Sequence, residues 1–287
     1  MRCKGIMKMR KAVLFCFCAF GAILVSLSSC SDLVTREVPP VSSQTTKEPV
    51  RKFLYNGIAY ADESVGRAIS KALNDDVGEL HSEGDLLSIK EFLFFGEWDD
   101  DGVWENVGIE DIGRLKNLEK LVLSRCEIID LTPISQLTAL KELSIINSGI
   151  INLAPISSMP NLEYVNLYDS GVDSLEFLRD AKQLVFLDIV YAERIQDISP
   201  LESAEKLETL NAAFHAFSDF SVLGKLKSLR KLSCTISAKD LPILAELQQL
   251  EELHLFDSAI TAEQFGQLQE ALPSTNVTTN VFEQRGQ

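Results

Sequence analysis

Apolar residues return along the middle of the chain at a nearly constant interval. Between residues 115 and 180 the pattern L-x-x-L-x-L, or a close variant, occurs three times at a spacing of 22 residues. The L-x-L portion alternates, which is typical of a short strand with one buried face. Further copies begin at Ala181, Ala204, Leu226 and Leu247, and the block at Ala181 is one residue longer. The pattern predicts seven successive units with one strand each.

A fixed period of this length with this apolar core is the leucine-rich repeat. One unit cannot bury its apolar face alone, whereas stacked units bury a continuous core. The return segments contain Pro133, Pro155 and Pro200, which interrupt any long helix. We predict an α/β solenoid, a leucine-rich repeat horseshoe with a parallel concave β-sheet and a convex side of short 3-10 helices and turns.

Both ends of the repeat array have the sequence signature of a cap. Apolar residues after Asp62 are spaced for one face of a helix, and Thr261 and Gln264 form a capping box before a second helical segment. The predicted organisation is a signal peptide at 1–29, a tether at 30–50, an N-terminal cap with an irregular first repeat at 51–114, about seven repeats at 115–268 and a C-terminal cap at 269–287.

The first thirty residues have the features of a secretory signal. A basic head precedes an apolar run from Ala12 to Leu27, which is short for a membrane-spanning helix. The following "LSSC", ending at Cys30, resembles the lipobox of bacterial lipoproteins. That resemblance implies that Cys30 is acylated and becomes the first residue after cleavage. An ordinary signal peptide with an incidental cysteine, or an uncleaved anchor, remains the alternative.

The charge of the chain bears on its partners and location. The formal net charge is −15, and removal of residues 1–29 would leave 22 basic and 42 acidic residues, a net of −20. Such a chain repels phosphate backbones, which argues against nucleic acid as a partner. Acyl chains on Cys30 would make the membrane contact, and residues 31–50, rich in Ser, Thr and Pro, would act as a flexible tether. Ser31 after Cys30 does not resemble the Asp-type signal that retains lipoproteins of some bacteria in the inner membrane, and this resemblance favours an outer-membrane or cell-surface location.

The position that usually holds asparagine in this repeat carries other residues here. It is filled by Cys126, Ser148, Ser170, Ala192, His215, Ser237 and Ser258. Cys126 and Cys234 would lie five repeats apart, about 24 Å at a strand spacing of about 4.8 Å. A disulfide requires Cα atoms within about 7 Å. We therefore predict two free, buried thiols.

Aromatic residues occur at strand positions that the core does not need. Outward positions of the third and fourth repeats, with one neighbour in the second, give a candidate protein-binding set: Ile146, Tyr164, Asn166, Tyr168, Phe186, Asp188 and Val190. Large aromatics in such places are hot-spot candidates. Two alternatives stay open, namely a patch covered by a neighbouring loop and the ordinary preference of Tyr, Phe and Val for strands.

An insertion of about ten residues interrupts the first repeat between Phe94 and Ile109. It reads "FGEWDDDGVWENVG" and contains Trp98, Trp104 and three consecutive aspartates. A contact loop or a Ca²⁺ site is one interpretation. The spacing is not that of a calcium loop, so a solvated acidic loop whose tryptophans pack on the first repeat is favoured, and no metal site is predicted.

Catalytic chemistry finds little support in the sequence. His81 lies near the cap, His215 at a ladder position, and His254 on a strand that offers no nucleophile. The chain after the signal contains no Gly-rich phosphate loop or CxxC pair. We expect neither an enzyme nor a cofactor.

The repeats resemble those of the internalin-type bacterial leucine-rich repeat proteins over about residues 60–282. The resemblance rests on "IIDLTPISQLTALKELSI", "IINLAPISSMPNLEYVNL" and "DLLSIKEFLFF". It implies a surface protein that binds a protein partner through the concave strand face, in adhesion or in a host or envelope interaction. The alternative is a structural or regulatory envelope lipoprotein that acts on the cell's own proteins.

Overall fold

The computed structural model describes residues 53–55, 58–73, 81–97, 104–128, 130–150, 152–157, 159–215 and 217–280. All of them belong to one compact unit, which the chain forms between residues 45 and 287. The predicted signal peptide, Cys30 and the tether lie outside the described residues, as do Trp98 and residues 99–101. Within the described part, no helix is both long enough and apolar enough to cross a bilayer.

Nine parallel strands form one continuous sheet. The strands among the described residues are β1 (Phe53–Tyr55), β2 (Ile58–Tyr60), β3 (Glu91–Phe95), β4 (Glu105–Asn106), β5 (Lys120–Ser124), β6 (Cys126–Ile128), β7 (Glu142–Ile146), β8 (Gly149–Ile150), β9 (Tyr164–Asn166), β10 (Phe186–Asp188), β11 (Thr209–Ala212), β12 (Lys231–Cys234), β13 (Glu252–Leu255) and β14 (Asn276–Thr279). The large sheet contains β3, β5, β7 and β9 to β14 in sequence order. This arrangement confirms the predicted leucine-rich repeat solenoid.

Short 3-10 helices form the return side of the repeats. They span Asp85–Ser88, Ile112–Arg114, Thr132–Ile134, Ala154–Ile156, Glu176–Leu178, Ser199–Ser203, Ser221–Lys225 and Ala238–Asp240. A side chain two residues before five of these turns accepts a backbone N–H: Asp130, Asn152, Ser174, Asp197 and Asp219. These local bonds favour a tight turn over a longer helix. The polar residue of the I-x-D-L-x-P-I return therefore stabilises the 3-10 turn that follows it.

The described part of the unit also contains three α-helices. They are α1 (Glu63–Ala72), α2 (Leu241–Ala245) and α3 (Ala262–Ala271). Asp62 accepts the Val65 amide at the start of α1, and Thr261 forms the capping box with Gln264 at the start of α3. Both helices that the sequence predicted are therefore present, with the predicted N-cap residues.

The N-terminal segment is joined to the first repeat by a carboxylate. Asp111, almost fully buried, accepts the Ala61 amide at 2.6 Å and an N–H of the Arg114 guanidinium at 2.8 Å. Arg114 also donates to the Ala59 carbonyl at 2.9 Å and pairs with Glu83. These bonds link β2 to the 3-10 helix of the neighbouring repeat.

Equivalent positions after the strands form a ladder, in which serines stabilise the turns of several repeats and the apolar, buried Ala192 fills the position in another. Ser148 donates to the Ile146 carbonyl at 2.9 Å and accepts the Cys126 amide at 3.3 Å, and Ser258 accepts the Ile236 amide at 3.0 Å. The prediction placed Ser237 in this ladder, which was wrong. The buried Ile236 takes that position because its repeat is one residue shorter, and Ser237 caps the following 3-10 helix instead.

His215 is the titratable member of this ladder. Its side chain is 2% exposed, its Nε2 bonds to the Ile189 carbonyl, and its ring stacks on Phe217. Burial lowers the pKa of His215, and the backbone bonds oppose that effect only in part. The neutral imidazole is thus the form that the fold accommodates.

Acid is expected to destabilise the repeats through His215. An unfolded histidine takes up a proton near pH 6.5, whereas the folded one does so only at lower pH. The free energy of unfolding therefore falls as the pH drops below about 6.5, by up to about 1.4 kcal/mol per pH unit, until the folded form is also protonated. Urea unfolding at pH 7, 6 and 5 should show a shallower pH dependence for His215→Asn. Equal slopes for the two proteins would contradict this role.

The two described cysteines are free and buried, as predicted. Burial raises the pKa of the Cys234 thiol, so its reactive thiolate is scarce at neutral pH. Residues 45–287 contain only these two cysteines, so a thiol reagent should modify the native unit slowly. It should modify both thiols after denaturation in guanidinium. Rapid modification of both in the native state would show that the repeats open locally.

Candidate functional site

Tyr164 and Phe186 form an aromatic pair on the exposed face of the sheet. They lie directly opposite each other in β9 and β10, with ring centroids 4.2 Å apart and ring planes 2° from parallel. Both side chains are half-buried. Burial raises the pKa of the Tyr164 hydroxyl, so it stays protonated at neutral pH. The pair offers apolar area and a polar tip in one place.

A polar row runs beside the aromatic pair in the middle of the sheet. It consists of Asn166, Asp188 and Asn211, which lie opposite one another on β9, β10 and β11. Asp188 accepts the Val190 amide at 3.0 Å and the Asn211 side-chain amide at 3.2 Å. Asn166 accepts the Tyr168 amide at 3.0 Å. Burial raises the pKa of Asp188, and the two hydrogen bonds act in the opposite direction.

A second set of rings borders the polar row on its other side. This aromatic row comprises Tyr168, Tyr191, Phe214 and Phe256, in contact from one ring to the next at centroid distances of 5.6, 4.7 and 5.6 Å. All four side chains are half-buried. The row gives the surface a second apolar border parallel to the solenoid axis.

Sequence reasoning missed Tyr191 and Phe214. They follow the outward strand position and have positive φ angles of 59° and 67°. Strand alternation ends at these turns, so it could not assign their direction. The available signal was their equivalent position in successive repeats, one residue past Val190 and Ala213.

Ion pairs flank the aromatic pair in the same strand column. Lys120 pairs with Glu142 at 2.9 Å on one side, and Lys231 pairs with Glu252 at 2.7 Å on the other. Each is a cross-strand pair between neighbouring repeats. Exposed ion pairs of this kind contribute little stability. Their main effect is that the charged side chains on either side of the rings neutralise each other.

Further apolar area lies at the N-terminal end of the sheet. Leu93 and Phe95 on β3 are 48% and 52% exposed, and the Arg125 guanidinium lies 5.8 Å from the centre of the Phe95 ring. The first repeat was not included in the predicted binding set. Trp104 follows on the insertion, half-buried beside β4.

The seven predicted binding residues occupy neighbouring positions on β7, β9 and β10 or directly after these strands. Each is half-buried. Asn166 and Asp188 hold the amides of Tyr168 and Val190, and Ile146 adjoins them on the next strand. The structure thus brings the set together in one region of the sheet.

Solved structures with the same fold include internalins of Listeria monocytogenes. The internalin inlF has 21% sequence identity and a TM-score of 0.65, and the match covers 78% of this chain and 65% of that one. Internalin C2 (inlC2) has 17% identity and a TM-score of 0.51, over 78% of this chain and 89% of that one. The likeness shows that the chain has an internalin-type leucine-rich repeat fold. No protein-family model and no curated protein matches the chain.

Proposed function

We propose that this protein binds a protein partner through the concave face of its solenoid, at the aromatic pair and the aromatic row. The observation that carries the proposal is a set of six half-buried rings that lie on the strands of the large sheet or within three residues after them. A bound partner would bury the apolar surface that these rings still expose to solvent. Each well-packed aromatic side chain in an interface contributes on the order of 2 kcal/mol to binding. The comparisons support the fold on which the surface is built.

Strand preference alone gives a weaker account of the rings. It would account for Tyr164 and Phe186, which are strand residues. It gives no reason for Tyr191 and Phe214, which lie past the strand ends in left-handed turns. A contiguous set of rings that includes turn positions is better explained by a contact surface.

We also propose that the protein is exported and anchored to a bacterial membrane. The sequence up to Cys30 supports export and acylation, which would anchor the domain to a bacterial membrane, with the tether keeping it clear of the lipid. Adhesion or a host or envelope interaction requires access from outside the cell. Degradation of the domain by protease added to intact cells would support that location. Full protection would favour the second function, regulation of the cell's own envelope proteins.

Binding is tested by a pull-down with the compact unit, residues 45–287. The bait is compared with a variant that carries Tyr164→Ala, Tyr168→Ala and Phe186→Ala, and both are exposed to host-cell and bacterial envelope extracts. We expect one protein to be retained by the bait and reduced at least tenfold by the variant. Circular dichroism and a melting curve establish that both are folded.

A matched control removes apolar area elsewhere on the same sheet. The variant Leu93→Ala with Phe95→Ala truncates two exposed side chains of β3 and leaves the rings of the later repeats in place. It should retain the partner. If the triple variant keeps every protein that the bait keeps, the proposed site is wrong, and the insertion around Trp104 is the next region to alter.

A further inference from the structure

The polar row lies between the aromatic pair and the aromatic row, and we call this strip of the sheet the groove. The aromatic pair lies two residues before the row on β9 and β10, and the aromatic row begins at Tyr168, two residues after Asn166 and past the end of β9. The groove crosses β9, β10 and β11 and runs along the solenoid axis. The following inference rests on the proposed function and specifies the chemistry of the partner at that site.

The floor of the groove can both donate and accept hydrogen bonds. The Asp188 carboxylate, which has about four acceptor positions, uses one on the Val190 amide and one on Asn211. Asn211 uses one of its two amide hydrogens in the second of these bonds. A ligand that carries alternating N–H and C=O groups, such as a polypeptide main chain, matches this chemistry.

The ring geometry limits what the borders can bind. Tyr164 and Phe186 stack across the strand spacing, so their mutually facing sides are covered and their edges point toward the groove and solvent. Tyr191 and Phe214 stack in the same way, with planes 7° from parallel. A cation or a sugar binds over a ring face, whereas ring edges, which carry partial positive charge, favour apolar groups, aromatic faces and carbonyl oxygens.

The charge of the groove excludes acidic ligands. Among the concave positions of β9, β10 and β11, which the structure describes, the only carboxylate is Asp188, and none is lysine or arginine. The nearest lysines of the same column, Lys120 and Lys231, are paired with Glu142 and Glu252. A phosphate or an acidic peptide would meet a carboxylate with no cation to offset it.

We propose that the groove binds an extended segment of the partner polypeptide, which crosses the strands along the solenoid axis. Its main-chain amides pair with Asn166, Asp188 and Asn211, and its apolar side chains meet the ring edges on both borders. The three side chains of the polar row span about 10 Å at a strand spacing of about 4.8 Å. That distance corresponds to about three residues of extended chain, which defines the minimal recognised segment.

The test uses random linear twelve-residue peptides displayed on phage and selected on residues 45–287. We expect the enriched peptides to share aromatic or branched apolar residues and to contain few acidic ones. Binding of the best synthetic peptide should weaken at least tenfold with Asn211→Ala and with Phe186→Ala. It should be unchanged with Ser233→Ala, which alters the same strand column two strands away from Asp188.

Recognition of the peptide's main chain can be measured separately from recognition of its side chains. A scan of the best peptide with single N-methylated residues removes one backbone donor at a time and keeps every side chain. At least one position in a run of about three should lose tenfold or more in affinity. The inference is overturned if no N-methylation weakens binding, if affinity depends on lysine or arginine in the peptide, or if Asn211→Ala binds as tightly as the parent.

Failure of this inference is distinguishable from failure of the proposed function. If the pull-down retains a partner in a ring-dependent manner and no linear peptide is enriched, the concave face binds protein but recognises a folded surface. That result would overturn the extended-segment inference alone. If peptides are enriched and bind the triple ring variant equally well, both the inference and the proposed site are wrong.

Discussion

Replacing Asp111 by alanine is expected to lower the free energy of unfolding by about 3 kcal/mol, the lower end of the cost of breaking a buried ion pair. The change removes the acceptor of the Ala61 amide and of the Arg114 guanidinium in one step. The lower end applies because Arg114 is about a quarter exposed and keeps its bonds to Glu83 and to the Ala59 carbonyl. In a unit of this size the melting temperature should fall by about 6–12 °C.

The effect of Asp111→Ala should be largest at the N-terminal end. In a stack of repeats each unit contacts only its neighbours, so loss of one junction opens that end before the rest. Hydrogen exchange should therefore accelerate around Ala61 and α1 more than in β11 to β13. Glu110→Ala is the matched control, because its exposed neighbouring carboxylate should be dispensable. Equal stability of the two variants would show that Asp111 does not hold the junction.

Gly113→Ala should destabilise the same region for a steric reason. A methyl group on Gly113 would overlap the carbonyl oxygen of Pro133 in the 3-10 helix of the next repeat. Since the obstacle is backbone, relief requires the two repeats to move apart, and we expect a loss of about 3 kcal/mol, the upper end for overpacking. Chemical unfolding monitored by circular dichroism measures it.

Gly224→Ala is the position-matched control for this change. Gly113 and Gly224 each lie two residues before the leucine that opens the next block, Leu115 and Leu226. Nothing lies within 4 Å of a methyl group at Gly224. Alanine there should be neutral or stabilise by up to about 1 kcal/mol, because it restricts the unfolded chain. Similar losses at both glycines would mean that helix geometry, and not the contact with Pro133, sets the cost.

The periodicity predicted the fold well because equivalent positions of each repeat must be buried in the same way. Leu121, Leu143 and Val165 are fully buried on successive strands. The prolines of the returns likewise indicated the short 3-10 helices that the structure contains. A single short apolar pattern could belong to a strand or to a helix. The same pattern in successive repeats makes the assignment to a strand secure.

The prediction of individual positions was less accurate where a repeat departs from the 22-residue period. The sixth repeat is one residue short, so counting from the strand placed Ser237 in the ladder although the buried Ile236 lies there. The candidate set also left out the half-buried ring of Tyr191, because alternation gives no direction for a residue in a left-handed turn. The junction at Asp111 depends on contacts between distant residues, which no local pattern encodes.

The left-handed turns have an evolutionary consequence. A bulky residue at positive φ costs of the order of 1 kcal/mol or more relative to glycine or asparagine, and Asn147 occupies the same turn in an earlier repeat. Tyr191 and Phe214 are therefore not the most stable choices at their positions. Under the proposed function, recognition compensates for that cost, and the turn residue of each repeat can be exchanged without altering the buried leucines beneath it.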